Sequence, residues 1–124
     1  MIGKIDPHNH QSSIAWEALN WQPSEQQISL FCKLQSLLID SNRTVNLTRL
    51  TNDRDYWICQ VLDSLWPLTK EFKKPQEVKR VIDIGTGCGF PGLAIAIAFP
   101  NTQVTLVDSV NKKTNAIQAI VKAL

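Results

Sequence analysis

The sequence predicts an α/β fold, in which a parallel strand–helix–strand–helix unit follows an N-terminal helical extension. Three observations predict it. Apolar residues recur at helical spacing through the first half of the chain, as in the stripe Ile28, Phe31, Leu34 and Leu38. Beyond Pro75 the pattern changes to β-branched runs, VKRVIDI at residues 78–84 and TQVTLV at residues 102–107. Each run is followed by a helical segment, and that order implies parallel pairing through a right-handed crossover.

Residues 1–11 read as an irregular, solvated leader. His8 and His10 stand within it, but no third ligand is near, so no metal site is predicted. Ser12 or Ser13 caps a short helix running to about Asn20. Ser24, with Gln27 three positions on, forms a capping box that opens a longer helix reaching about Asp40. Residues 41–52 are polar and turn-like. Asp53 or Asp55 begins the next helix, whose apolar face is Trp57, Ile58, Val61, Leu62 and Leu65, and Pro67 ends or kinks it. The charged stretch from Lys70 to Pro75 reads as a linker between a helical extension, residues 1–74, and an α/β module, residues 75–124. Residues 91–99 and 111–124 read as the two helices of that module, the second with Ala116, Ile117, Ile120 and Val121 on one face.

Composition narrows the class. Of 124 residues, 44% are hydrophobic and 19% charged, which excludes a disordered chain. Thirteen basic residues against eleven acidic give a net charge of +2, which neither demands nor excludes a nucleic-acid partner. Cys32, Cys59 and Cys88 are odd in number and form no CxxC pair, the pattern of a reduced, cytoplasmic setting. No apolar run approaches the roughly 18 residues that span a bilayer. The N-terminus shows no signal-peptide pattern, so no membrane association is expected.

Chemistry concentrates in Asp83-Ile84-Gly85-Thr86-Gly87-Cys88-Gly89-Phe90-Pro91-Gly92. Here a strand turns sharply into a helix, and Gly85, Gly87 and Gly89 permit positive φ and let a ligand approach bare backbone. Pro91 suits a first helical turn, and Gly92 lets the helix lie close to the sheet. Asp108 ends the second run 23 positions after Gly85. At about that distance, an acidic residue in nucleotide-binding βαβ units accepts hydrogen bonds from ribose hydroxyls. Asp83 reads either as a structural hydrogen-bonding residue or as part of the cofactor pocket. Cys88 reads as a small loop-filling residue, because no His/Asp partner set accompanies it. Gly87-x-Gly89-x-x-Gly92 alone also matches the dinucleotide fingerprint. The wider D-x-G-x-G-x-G frame from Asp83 instead resembles the first motif of class I, Rossmann-like methyltransferases, which points to S-adenosylmethionine over NAD.

VIDIGTGCGFPGLAIAIAFP followed by VTLVDSVNKK resembles the signature of the GidB family. Upstream, Val45-Asn46-Leu47-Thr48 resembles that family's NLT motif, and Val61-Leu62-Asp63-Ser64-Leu65 resembles the helix segment before its linker. The resemblance implies transfer of a methyl group from S-adenosylmethionine to N7 of a guanine in 16S ribosomal RNA. Asp83, Gly85, Gly87, Gly89 and Phe90 are then the expected cofactor-binding residues of the glycine loop. Asp108, Ser109 and Val110 are those expected along ribose and adenine. No catalytic residue is assigned, because guanine N7 has a lone pair and no proton to lose. The sequence departs from the family where Gln60 stands near the place of a usual His.

The resemblance stops at Leu124, and family members continue for about another hundred residues. The expected fold is therefore an incomplete Rossmann-like sheet. A chain of this size buries only about 60% of its unfolded surface. It is expected to bind cofactor weakly, not to methylate alone, and to self-associate through an open sheet edge. The small ribosomal subunit, or its 16S RNA, is the expected partner. Arg43, Arg49, Arg54, Lys70, Lys73, Lys74, Lys79 and Arg80 read either as an RNA-facing surface or as scattered solubilising charge. Two alternatives to the enzyme are a non-catalytic fragment binding an adenosyl ligand or RNA, and a fragment of an NAD-dependent oxidoreductase.

Overall fold

The computed structural model describes residues 16–77 and 80–124. The leader, His8, His10, the Ser12/Ser13 cap and Lys79 lie outside them. A 3-10 turn, Trp16–Leu19, leads to helix α1, Glu25–Ser41. The capping box forms as expected: Ser24 Oγ accepts from Gln27 N at 3.1 Å, and Ser24 N donates to Gln27 Oε1 at 2.9 Å. Gln27 Nε2 reaches on to the carbonyls of Ile97 and Ala98, at 3.0 and 3.4 Å. One side chain thus starts α1 and satisfies carbonyls at the end of a helix 70 residues away. Ile28, Phe31, Leu34 and Leu38 are all buried.

Helix α2 covers residues 53–65, so it begins at Asp53, one of the two expected starts, and Asn52 caps it. Asn52 Oδ1 accepts from Asp55 N at 2.9 Å, while Asn52 Nδ2 donates to Asp55 Oδ2 at 2.8 Å. Residues Asp55–Leu62 are wound as a π-helix. In a regular helix, Tyr56 and Gln60 would lie on the far side from Ile58, Leu62 and Leu65. The wider turn moves the inward stripe, so Tyr56, Trp57, Gln60, Val61 and Leu65 are buried and Ile58 and Leu62 are only half-buried. Tyr56 keeps its hydroxyl satisfied on the carbonyl of Phe31, at 2.6 Å. Burial, with Cys32 nearby, pushes its pKa well up.

The charged stretch from Lys70 carries a core anchor, as 3-10 turns hold residues Glu71–Lys73 and bury Phe72. The Phe72 ring stacks between Trp21, at 4.9 Å, and Phe99, at 4.6 Å. Strands β1, Arg80–Ile84, and β2, Gln103–Val107, pair in parallel, with Ile82 opposite Thr105 and Ile84 opposite Val107. Helices α3, Gly92–Ala98, and α4, Asn111–Ala123, follow the strands. The predicted parallel unit is therefore present as a mixed helix and two-stranded arrangement. Val81, Leu93, Ile97, Ile117 and Ile120 join the aromatic residues of the N-terminal half in one apolar cluster. Val121, expected on the inner face of α4, is 50% exposed.

The two sheet faces differ. Val81, Asp83, Val104 and Leu106 point toward the helices, whereas Ile82 is 65% exposed, Ile84 81% and Val107 44% on the other face. Among the described residues no helix is long and apolar enough to cross a membrane. Nor does any group of three or more His, Cys, Asp or Glu side chains there suit a metal ion.

Candidate functional site

The site forms where β1 and β2 end together. Gly85 N and Thr86 N both donate to the carbonyl of Val107, at 2.7 and 3.0 Å, which ties the glycine loop to the end of β2. Gly85, Gly87 and Gly89 take φ values of +73°, +59° and +97°. The left-handed region disfavours any residue with a Cβ, so the loop's course requires glycine there. The glycines differ in surroundings. A Cβ built at Gly85 or Gly87 would meet nothing within 4 Å. One built at Gly89 would collide with Leu93, and one at Gly92 with Leu106. Gly85 and Gly87 thus present open backbone, while Gly89 and Gly92 serve close packing.

Asp83 is buried, and its Oδ2 accepts from Thr86 Oγ1 at 2.7 Å and from Gly92 N at 2.9 Å. One carboxylate oxygen therefore holds both the start of the loop and the first turn of α3, whose free N–H groups favour a negative partner. Pro91 stands at the cap of α3, one position before the first helical residue.

Asp108 closes the loop from the other side. Its Oδ2 accepts from Gly87 N at 2.9 Å, and its Oδ1 from Val110 N at 2.9 Å. These contacts hold the carboxyl below its ordinary range, the Val110 N–H first, then that of Gly87, with Lys113 adding to them. Each carboxylate oxygen keeps a further lone pair for a ligand hydroxyl. Gly85, Gly87, Asp108, Ser109 and Val110 therefore gather along one accessible rim at the carboxyl ends of the strands, where open α/β sheets bind ligands. The remaining expected residues lie behind it: Asp83 and Gly89 are buried, and the Phe90 ring sits edge-on to Tyr56 at 6.1 Å, facing α2.

Three further residues acquire a structural role in three dimensions. Thr86 is buried and fixes Asp83. Gln60 Nε2 donates to Thr48 Oγ1 at 2.9 Å and to Cys88 Sγ at 3.5 Å. Asn42 holds the Leu47-Thr48 segment: its Oδ1 accepts from both backbone N–H groups, at 2.9 and 3.2 Å, and its Nδ2 donates to the Thr48 carbonyl at 2.7 Å. Thr86 was within the motif and thus visible. For Gln60 the helical period pointed outward.

A parallel β-α-β unit whose glycine loop is pinned between two strand-end carboxylates defines an α/β protein. Comparison with known proteins sharpens that class. Residues 27–124 match the family model described as GidB, rRNA small subunit methyltransferase G, and the chain belongs to that family. It is similar to the ribosomal RNA small subunit methyltransferase G of Synechococcus sp. (strain CC9311), 55% identical over 109 residues, which cover 88% of this chain and 43% of that protein. The protein of the same name from Synechococcus sp. (strain RCC307) is 56% identical over 113 residues, 91% of this chain and 47% of the relative. That of Prochlorococcus marinus (strain NATL2A) is 47% identical over 121 residues, 96% and 49% respectively. The chain thus spans less than half the length of these curated relatives.

Proposed function

We propose that this chain is the S-adenosylmethionine-binding front part of an enzyme that methylates N7 of a guanine in 16S ribosomal RNA of the small ribosomal subunit. In this reading, residues 1–74 are a helical extension and residues 75–124 begin a Rossmann-like domain. The carrying observation is the open backbone at Gly85 and Gly87, with Gly87 held by Asp108, whose oxygens have lone pairs to spare. Such a rim suits an adenosyl ligand: positive-φ glycines admit close approach, and an ionised carboxylate accepts from two adjacent hydroxyls. The family description and the relatives' names support the rRNA substrate.

S-adenosylmethionine supplies, when bound, a methyl group already activated by its sulfonium charge. The chain's own residues have a correspondingly modest task. Gly85 and Gly87 would leave room along the loop, Asp108 would accept from the ribose hydroxyls, and Ser109 and Val110 would continue the same rim. Asp83 acts from behind, by fixing Gly92 and Thr86. Guanine N7 needs no general base, so alignment and exclusion of water are the whole demand. Arg43, Arg49 and Arg54, on and beside the 42–52 loop, are exposed and suit RNA phosphates, in a cytoplasmic setting.

The exposed sheet face favours a second reading for the isolated chain, a binding fragment without turnover. The open edge of the two-stranded sheet favours pairing with a second copy.

Calorimetry with S-adenosylmethionine and with NAD, on the wild type and Asp108→Ala, tests the proposal. S-adenosylmethionine should bind, NAD should not, and the substitution should weaken binding about tenfold, as expected for hydrogen bonds to a charged group. Binding of NAD alone, or an unchanged affinity in Asp108→Ala, refutes it.

A further inference from the structure

Gln60 occupies an unusual place. It is only 7% exposed, on a π-wound segment that turns it inward, and its amide bridges two segments far apart in sequence. On one side is Thr48 Oγ1, and on the other Cys88 Sγ in the glycine loop. Thr48 is itself fixed by Asn42, the residue that caps the end of α1. A polar path therefore runs Asn42, Thr48, Gln60, Cys88, from the end of α1 to the loop carrying Gly87. The next residue along, Gly87, is the one whose N–H Asp108 holds.

The path is costly to build. A buried amide gives up hydration, and π winding departs from the regular helical ladder. An apolar residue in a regular helix would fill the same wall without either cost. Phe90 adds an apolar contact beside the polar one, its ring edge-on to Tyr56 one turn before Gln60. The glycine loop is thus seated on α2 at two points, Cys88 and Phe90.

We infer that Gln60 is a positioning residue, which sets the glycine loop against the 42–52 loop and so couples the cofactor rim to the exposed arginine-bearing surface beside it. Its ligand arm rests on the cofactor reading above, but its loop arm does not. With Gln60 in place, Cys88 and Gly87 hold one position, and Gly87 N–H meets Asp108. Without its donor, Thr48 and Cys88 lose their shared partner and the loop relaxes toward the open rim.

The test uses Gln60→Met, which keeps length and removes the donor, Thr48→Val, which removes the acceptor, the double variant, and Gln60→His, which restores an N–H. Two readouts are taken: alkylation rates of each cysteine by peptide mass mapping, and S-adenosylmethionine affinity. Cys32, half-buried and with its thiol pKa raised by burial, reports global loosening, and exposed Cys59 is an unaffected reference. Cys88 alkylation should rise several-fold in Gln60→Met and Thr48→Val, with Cys32 and Cys59 unchanged. Affinity should fall about fivefold, the scale of one hydrogen bond. The double variant should be no worse than either single one, as for groups acting through one contact, and Gln60→His should return toward wild type. Unchanged Cys88 rates in both single variants, or effects that multiply in the double variant, overturn the inference. If Gln60→Met does not fold, Thr48→Val decides by the same criteria. A wild type that binds no S-adenosylmethionine while Cys88 still responds supports the positioning role and removes the cofactor reading.

Discussion

At the scale of single residues, glycines that look alike in sequence do different work. Gly87 and Gly92 both belong to the motif, yet Gly87 needs its φ of +59° and has open space around it, while Gly92 lies where a Cβ would strike Leu106 and crowd Asp83. Gly92→Ala should therefore cost about 1–3 kcal/mol of stability, the range for overpacking. Gly87→Ala should cost about 1–2 kcal/mol, as left-handed strain alone. Chemical denaturation separates the two substitutions from their effect on the ligand, since only Gly87→Ala places a methyl group on the open rim. Asp108 adds a pH signature. Its carboxyl is held low by backbone N–H groups, so the ionised form contributes stability above the ordinary carboxylate range. That contribution disappears as pH falls through the lowered value. The stability advantage of wild type over Asp108→Asn should accordingly be present at neutral pH and vanish in acid, as read by urea unfolding at a series of pH values.

At the scale of elements, the joints between helices and sheet are specific. Gln27 links the start of α1 to the end of α3, and Phe72 stacks between Trp21 and Phe99 across the same seam. Ser24→Ala should remove one half of the capping box and cost about 1 kcal/mol. Phe72→Ala should cost about 3–5 kcal/mol, because it empties a buried aromatic stack. Thermal unfolding followed by circular dichroism orders the two effects, and a smaller loss for Phe72→Ala than for Ser24→Ala would contradict the seam. The capping box was readable in the sequence because a cap is a local contact between neighbours. The seam was not, since the charges around Phe72 mark a linker and nothing local tells which ring it will meet. Helix α2 shows the same division. Its existence followed from its apolar content, whereas the π turn that buries Tyr56 and Gln60 answers to neighbouring α1 and the glycine loop.

At the scale of the whole molecule, the sheet dominates. Among the described residues, two strands carry Ile82, Ile84 and Val107 on an exposed face, next to unpaired strand edges. Ile84 is 81% exposed and sits beside the glycine loop, so sheet surface and loop rim share one end of the strands. Sedimentation at rising concentration should show self-association of the wild type, and Ile84→Lys with Ile82→Lys should reduce it without unfolding the chain. A wild type that stays monomeric throughout would remove the pairing proposal.

The order of elements, the parallel pairing, the glycine loop and the acidic residue at the end of β2 were legible along the chain. These depend on local period, on φ requirements and on spacing along the chain. Packing in three dimensions settled that Asp83 acts from behind the loop, that Gly89 packs while Gly87 stays open, and that Gln60 reaches both Thr48 and Cys88. Those outcomes depend on which side chains meet in space, some of them 12 and 28 residues apart, and such contacts leave no period in the sequence.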